Sequence, residues 1–305
     1  MDRFVPDGPG QHLRGAFWLA ARVLYAKLPA KGGPLAWPWL TRVAGMAGRS
    51  ANHLRLHGPR VDELQALFPK SDRNSLRRLA PRVTELEFRN RVILESVRRR
   101  GLAALAPLTV ADVSWRKVSP PAILVSFHMG ALYALPAALS ALEAPALVIR
   151  EGPFYEPPPG HAVAFTRGGV EQRAGVLADA VRQLRGHGFV VLAVDRPGGA
   201  PTDPVACLGR LVEFRRGAFA LSRITGAPIV PVTARWESGR RIRVVAHAPL
   251  ARPLASADDA RGFEGELARA AAVWLDAYLS ASPDQLWLGS LFELVDAPRA
   301  SGPLP

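Results

Sequence analysis

The chain has 305 residues, 49% of them hydrophobic and only 21% charged, which is ample for one large core and speaks against a mostly disordered protein. Lysine and arginine number 39 against 26 acids, a net charge of +13; this favours anionic partners such as phospholipid headgroups, acidic carrier proteins, phosphorylated cofactors or nucleic acid, and an arginine-rich compositional habit explains it equally well. A single cysteine, Cys207, excludes an intramolecular disulfide and a cysteine-cluster zinc site, and reads as a small buried hydrophobe.

In chain order, residues 1–12 read as a loose tail, with no small-residue cleavage site after a long apolar core and hence no cleavable signal peptide. Residues 15–26 are apolar but interrupted by Arg22, too short for the roughly 20 residues that span a bilayer. Their aromatics and flanking Arg14, Arg22 and Lys27 suit a helix lying in a membrane interface, or else an ordinary amphipathic helix packed on the domain. Residues 1–50 are therefore expected to form a tail and N-terminal amphipathic helix, and residues 51–305 an α/β domain. Helical spacing predicts helices over 61–68 and 76–100, the second ending in Arg98-Arg99-Arg100-Gly101, with cations at the negative end of the dipole and glycine after it.

The pattern then changes to strands alternating with helices. Buried strands are expected at 122–127, 146–149, 189–194, 229–234 and 242–245. Helices are expected at 131–142, 175–186, 218–226 and 264–280, with Pro136 tolerable only near a first turn. This alternation indicates a mixed central sheet flanked by helices. The Pro157-Pro158-Pro159-Gly160 run reads as a plain surface turn.

His128 follows directly after the strand at 122–127, where α/β folds place their active sites. Gly130 permits close approach of a ligand or of another stretch of backbone, and the start of the next helix offers amide donors to an anion or oxyanion. A histidine at a strand end is equally compatible with a structural role. No Gly-x-Ser-x-Gly, no Gly-x-Gly-x-x-Gly after a strand, and no zinc spacing or RNP-type aromatic motif occurs, which disfavours a serine hydrolase, a dinucleotide enzyme and a nucleic-acid-binding module.

The segment Ser126-Phe127-His128-Met129-Gly130-Ala131-Leu132-Tyr133 resembles the strand and His-x-Gly-x-x-Glu block of the lipid A biosynthesis acyltransferases and the related mycobacterial phosphatidylinositol mannoside acyltransferase. Other blocks are similar in the same order: Val148-Ile149-Arg150-Glu151, the strand ending in Asp195-Arg196, Leu208-Gly209-Arg210, the stretch from Gly217 to Pro231, and Ser282-Pro283-Asp284-Gln285-Leu286-Trp287-Leu288. The resemblance spans roughly residues 15 to 295. It implies a glycerolipid-acyltransferase-like fold and transfer of a fatty acyl chain from a thioester, on acyl carrier protein or coenzyme A, to a hydroxyl or amine of a lipid-like acceptor. It implies no bound cofactor, and a site at the cytoplasmic face of a bacterial inner membrane.

By position, the resemblance makes His128 the general base, with Gly130, Arg150, Arg196, Gly209, Arg216 and Gly217 around the substrates. The family's glutamate is replaced by Tyr133, whose neutral phenol supplies no fixed charge. Asp195, Glu151 or Glu213 could serve His128 instead. The acceptor could be an amine that needs less help, or the chain could bind lipid or carrier without turnover. Arg215 and Arg216 stand where Pro-Thr is common and suit either a carrier protein or a merely basic loop.

Overall fold

The computed structural model describes Met46 and residues 57–151, 156–166, 170–195, 200–237 and 241–286. The expected interface helix at 15–26, most of the segment 1–50, and Arg196, Trp287 and Leu288 lie outside the described residues.

Helix α1 (His57–Leu67) packs against the long helix α2 (Arg73–Arg100). Helix α2 begins before its apolar periodicity because Asp72 caps it, its carboxylate accepting the N–H groups of Asn74 at 3.0 Å and Ser75 at 2.9 Å. It ends at Gly101, whose φ of 70° follows the expected glycine stop. The sheet strands then follow: β1 (Thr109–Ala111), β2 (Ala122–Ser126), β3 (Ala146–Arg150), β4 (Ala162–Phe165) and β5 (Phe189–Ala193). The hairpin β6 (Val205–Cys207) and β7 (Arg210–Val212) stands apart. Strands β8 (Ile229–Glu237) and β9 (Arg241–Ala246) complete the set. Between them lie the short α3 (Val113–Arg116), then α4 (Val170–Arg185), α5 (Gly217–Thr225) and α6 (Ala260–Ala281).

Seven strands form one sheet in the order β1-β9-β8-β2-β5-β3-β4. All neighbours are parallel except the antiparallel pair β8–β9. This is the expected mixed sheet flanked by helices, with two additional short strands, β1 and β4, in the sheet and two more in the separate β6–β7 hairpin. Strand β2 is buried at every position because both faces are covered. Ile123, Val125 and Phe127 join one apolar cluster with residues of α1, α4, α5 and α6, while Ala122 and Leu124 join another with Trp115, Leu135 and Leu139.

The segment after β2 corrects one expectation. Residues Leu132–Ala141 wind as a 3-10 helix with Pro136 inside it, where an α-helix was expected. Proline lacks the N–H an α-helix would use and disfavours α geometry in the residue before it. The fully buried Trp115 fixes this turn from outside, its indole N–H donating to the Ala138 carbonyl at 2.9 Å.

Candidate active site

Strands β2 and β5 run parallel with Ser126 opposite Ala193. Carrying that register two residues further sets His128 opposite Asp195, just past the C-terminal ends of adjacent strands. The Val194 N–H donating to the Ser126 carbonyl at 3.3 Å holds the two chains together at the point where they leave the sheet.

Asp195 is 1% exposed and His128 is 8% exposed. One carboxylate oxygen lies 2.7 Å from His128 Nδ1, and the other accepts the backbone N–H of the same histidine at 2.5 Å. The acid therefore fixes both the ring and the chain that carries it. With Nδ1–H donating to the carboxylate, a neutral ring keeps its lone pair on Nε2, the arrangement a general base requires. Of the three acids considered from sequence, Asp195 is the one on the imidazole. Glu151 is exposed and Glu213 half-buried. Tyr133, the second residue of the 3-10 turn, packs against the apolar cluster around Leu135 and Trp115.

Gly130 has φ +55°, and a Cβ built on it would lie 2.2 Å from the carbonyl oxygen of Ala234 in β8. The close approach that requires glycine is thus to the protein's own backbone. The expected amide donors at this turn are engaged as well. Met129 N–H donates to Phe127 O at 2.7 Å, Gly130 N–H to Gln285 O at 2.7 Å and Ala131 N–H to Ala234 O at 2.5 Å. Together with His128 N–H on Asp195, these bonds commit every amide from 128 to 131.

The remaining sequence candidates are spread more widely. Arg150 ends β3, beyond β5 in the sheet, with its guanidinium carbon 5.3 Å from the centroid of the Phe165 ring. Gly217 begins α5, and a Cβ there would meet only Leu192 Cδ1 of β5 at 3.9 Å. Gly209 (φ +67°) and Leu208 (φ 50°) form the two-residue turn of the β6–β7 hairpin, so positive φ at both turn positions explains this glycine.

Arg216 is engaged by Glu264. Its Nε donates to Glu264 at 2.6 Å, and Arg223 donates to the other oxygen of Glu264 at 3.2 Å. With Thr202, Asp203, Arg261 and Glu264 it lines a cavity of about 250 Å³. The residue before Arg216 is tied to the strand end that carries Asp195, as Arg215 N–H donates to Val194 O at 2.8 Å.

Sequence reading passed over Asn90. This residue of α2 is 0% exposed, and its Nδ2 donates to the Gly130 carbonyl. A polar residue in a buried helical stretch was the available signal. Among the described residues no group of His, Cys, Asp or Glu could hold a metal, and no helix is long and apolar enough to cross a membrane.

No protein-family model matches the chain, and no curated protein matches it. Among solved structures it is similar to the 1-acyl-sn-glycerophosphate (LPA) acyltransferase PlsC from Thermotoga maritima, at 17% identity, covering 80% of this chain and 98% of that one with a TM-score of 0.37. At that score the likeness does not define an activity.

Proposed function

We propose that this chain is an acyltransferase that moves a fatty acyl group from a thioester to a hydroxyl or amine of a lipid-like acceptor, with His128 as general base and Asp195 as the acid that orients it. The observation that carries the proposal is the 2.7 Å contact between His128 Nδ1 and Asp195 Oδ1 at the end of two buried parallel strands. A histidine–carboxylate pair alone suits several base-assisted acyl transfers. The ordered blocks described from sequence narrow that set to lipid acylation.

In this reading His128 Nε2 takes the proton of the acceptor as its oxygen or nitrogen bonds to the thioester carbonyl carbon. Asp195 stabilises the imidazolium that forms. The tetrahedral intermediate then expels the thiolate, which receives that proton, and the acyl chain stays on the acceptor as an ester or amide. The oxyanion must be met by groups other than the amides of residues 128–131, since those are already committed. The donor is a coenzyme A or acyl carrier protein thioester, and Arg150, Arg216 and Gly217, with Arg196, are proposed to lie along its path or the acceptor's. The net charge of +13 supports work at an anionic surface, which in this proposal is the cytoplasmic face of a bacterial inner membrane.

The test is thiol release from long-chain acyl-CoA, with and without lipid acceptors, by the purified protein. Base catalysis contributes typically about 10²- to 10⁴-fold, so His128→Ala should slow release by that order with the fold intact. Equal rates in the two proteins would remove His128 from the mechanism and leave a protein that binds lipid or carrier without turnover.

A further inference from the structure

The turn carrying His128 is held from several sides, mostly through main-chain atoms: the carbonyls of Gln285 and Ala234 take the Gly130 and Ala131 amides. Asn90 stands out because it is a side chain, lies 40 residues upstream, and grips a carbonyl rather than an amide. Its orientation is fixed by chemistry, since the atom facing a carbonyl oxygen must be the NH₂. The Gly130–Ala131 peptide is thereby held at both ends, its oxygen by Asn90 Nδ2 and its N–H by Ala234 O. Gly130, at φ +55°, has no side chain to resist rotation of that peptide. Asn90 supplies the resistance.

Asn90 is poorly explained by stability. Asparagine is a weaker helix former than leucine or alanine, and this one is fully buried near Leu86, Ile93 and other apolar residues of α2. Its Oδ1 is buried and makes no hydrogen bond among the described residues. A buried acceptor left unsatisfied costs stability; an aliphatic residue would remove that acceptor but leave the buried Gly130 carbonyl unpaired instead, so Asn90 yields no net gain in paired groups, while its one bond falls on the turn of His128.

We infer that Asn90 is a positioning residue for His128: by fixing the Gly130–Ala131 peptide it holds the turn in the one arrangement that keeps the imidazole on Asp195. This rests on the reading of His128 as the base. Asn90 touches no reacting atom, so its loss should lower kcat and leave acyl-CoA binding in place.

The experiment compares wild type, Asn90→Ala, Asn90→Asp and His128→Ala in thiol release from dodecanoyl-CoA. Amide exchange of the segment 127–131, read by mass spectrometry, and thermal melts accompany it. The Asp variant is the control for volume, being isosteric but presenting an oxygen where the NH₂ donates. Both Asn90 variants should lose about 10- to 100-fold in kcat, with KM changed less than about twofold, as expected when an interaction acts only on the chemical step. Exchange at 127–131 should quicken, and Asn90→Ala, which leaves a small cavity and an unpaired Gly130 carbonyl, should melt somewhat lower but still cooperatively.

Wild-type kcat in Asn90→Ala overturns the inference, because the donor would then be dispensable. A loss confined to KM, or unchanged exchange, overturns it as well. Turnover that depends on His128 but not on Asn90 refutes the positioning role alone. Turnover independent of His128 refutes the acyl-transfer reading and the positioning role together.

Discussion

Two groups of paired opposite charges in this chain are built on different terms. The His128 and Asp195 side chains are 10% and 1% exposed, and their meeting is dictated by the register of two buried strands. Arg261 and Asp203, which line the cavity beside Glu264, are 83% and 56% exposed and meet by the reach of long side chains. Glu264 is intermediate, itself 4% exposed and shared by Arg216 and Arg223, which are 42% and 26% exposed. Backbone-dictated geometry cannot relax when one atom changes, whereas side-chain geometry in water can. Changes at the first group should therefore register in turnover and fold, and changes at the second in modest stability and in sensitivity to pH and salt.

The largest effect that sharpens this contrast lies beside the dyad. In Gly130→Ala the new methyl would meet the Ala234 carbonyl at 2.2 Å, with φ at +55°, and neither backbone strand can yield. A loss of about 3 kcal/mol is expected in denaturant melts. The matched change Gly217→Ala, where the nearest atom is 3.9 Å away, should leave stability within about 0.5 kcal/mol. Equal losses at the two glycines would break the contrast.

Next comes Glu264→Gln, which removes the shared buried carboxylate but leaves both arginines with access to water. It should cost about 2 kcal/mol, less than breaking a fully buried pair. Tyr133→Glu should give no gain in turnover, because Asp195 already occupies Nδ1, and the new charge would sit against an apolar cluster. A rise in kcat would show that the acid function is incomplete without a carboxylate at position 133.

The smallest effect belongs to the exposed pair. The Arg261 guanidinium hydrogen-bonded to Asp203 holds that carboxyl below its ordinary value of 3.8. A depressed carboxyl pKa stabilises the fold above the unfolded value, and the contribution is lost as pH falls through the folded one. Arg261→Ala should thus lower the melting temperature at pH 7 only slightly, because the pair is exposed, and the difference from wild type should vanish as pH falls below 3.8. A large change at neutral pH, followed by thermal melts across pH, would show this corner to be structurally coupled to the core.

Much of the fold was legible because the central strands β2, β5 and β8 are near-continuous apolar runs, the mark of strands buried on both faces. Strands β1, β4, β6 and β7 were not, being three or four residues long with mixed burial. The Leu208-Gly209 turn was visible as residues within a block, but its hairpin role needed attention to the short runs on either side. His128 was legible from its place after a strand. Its acid was harder to find, since a motif read along the chain directs attention to position 133, whereas Asp195 comes from a neighbouring strand whose register no local spacing encodes. Asn90 was hidden for the same reason, its partner lying 40 residues away.

Asp195→Asn tests the central claim most directly, because it keeps the size of the side chain while removing the charge and one of the two acceptor oxygens that hold His128. Losing the corresponding acid of a serine-protease triad costs about 10⁴-fold in kcat. With acyl-CoA as donor, a fall of roughly 10²- to 10⁴-fold in kcat is expected, with KM nearly constant and a cooperative melt retained. Wild-type kcat in a folded Asp195→Asn protein would contradict the account.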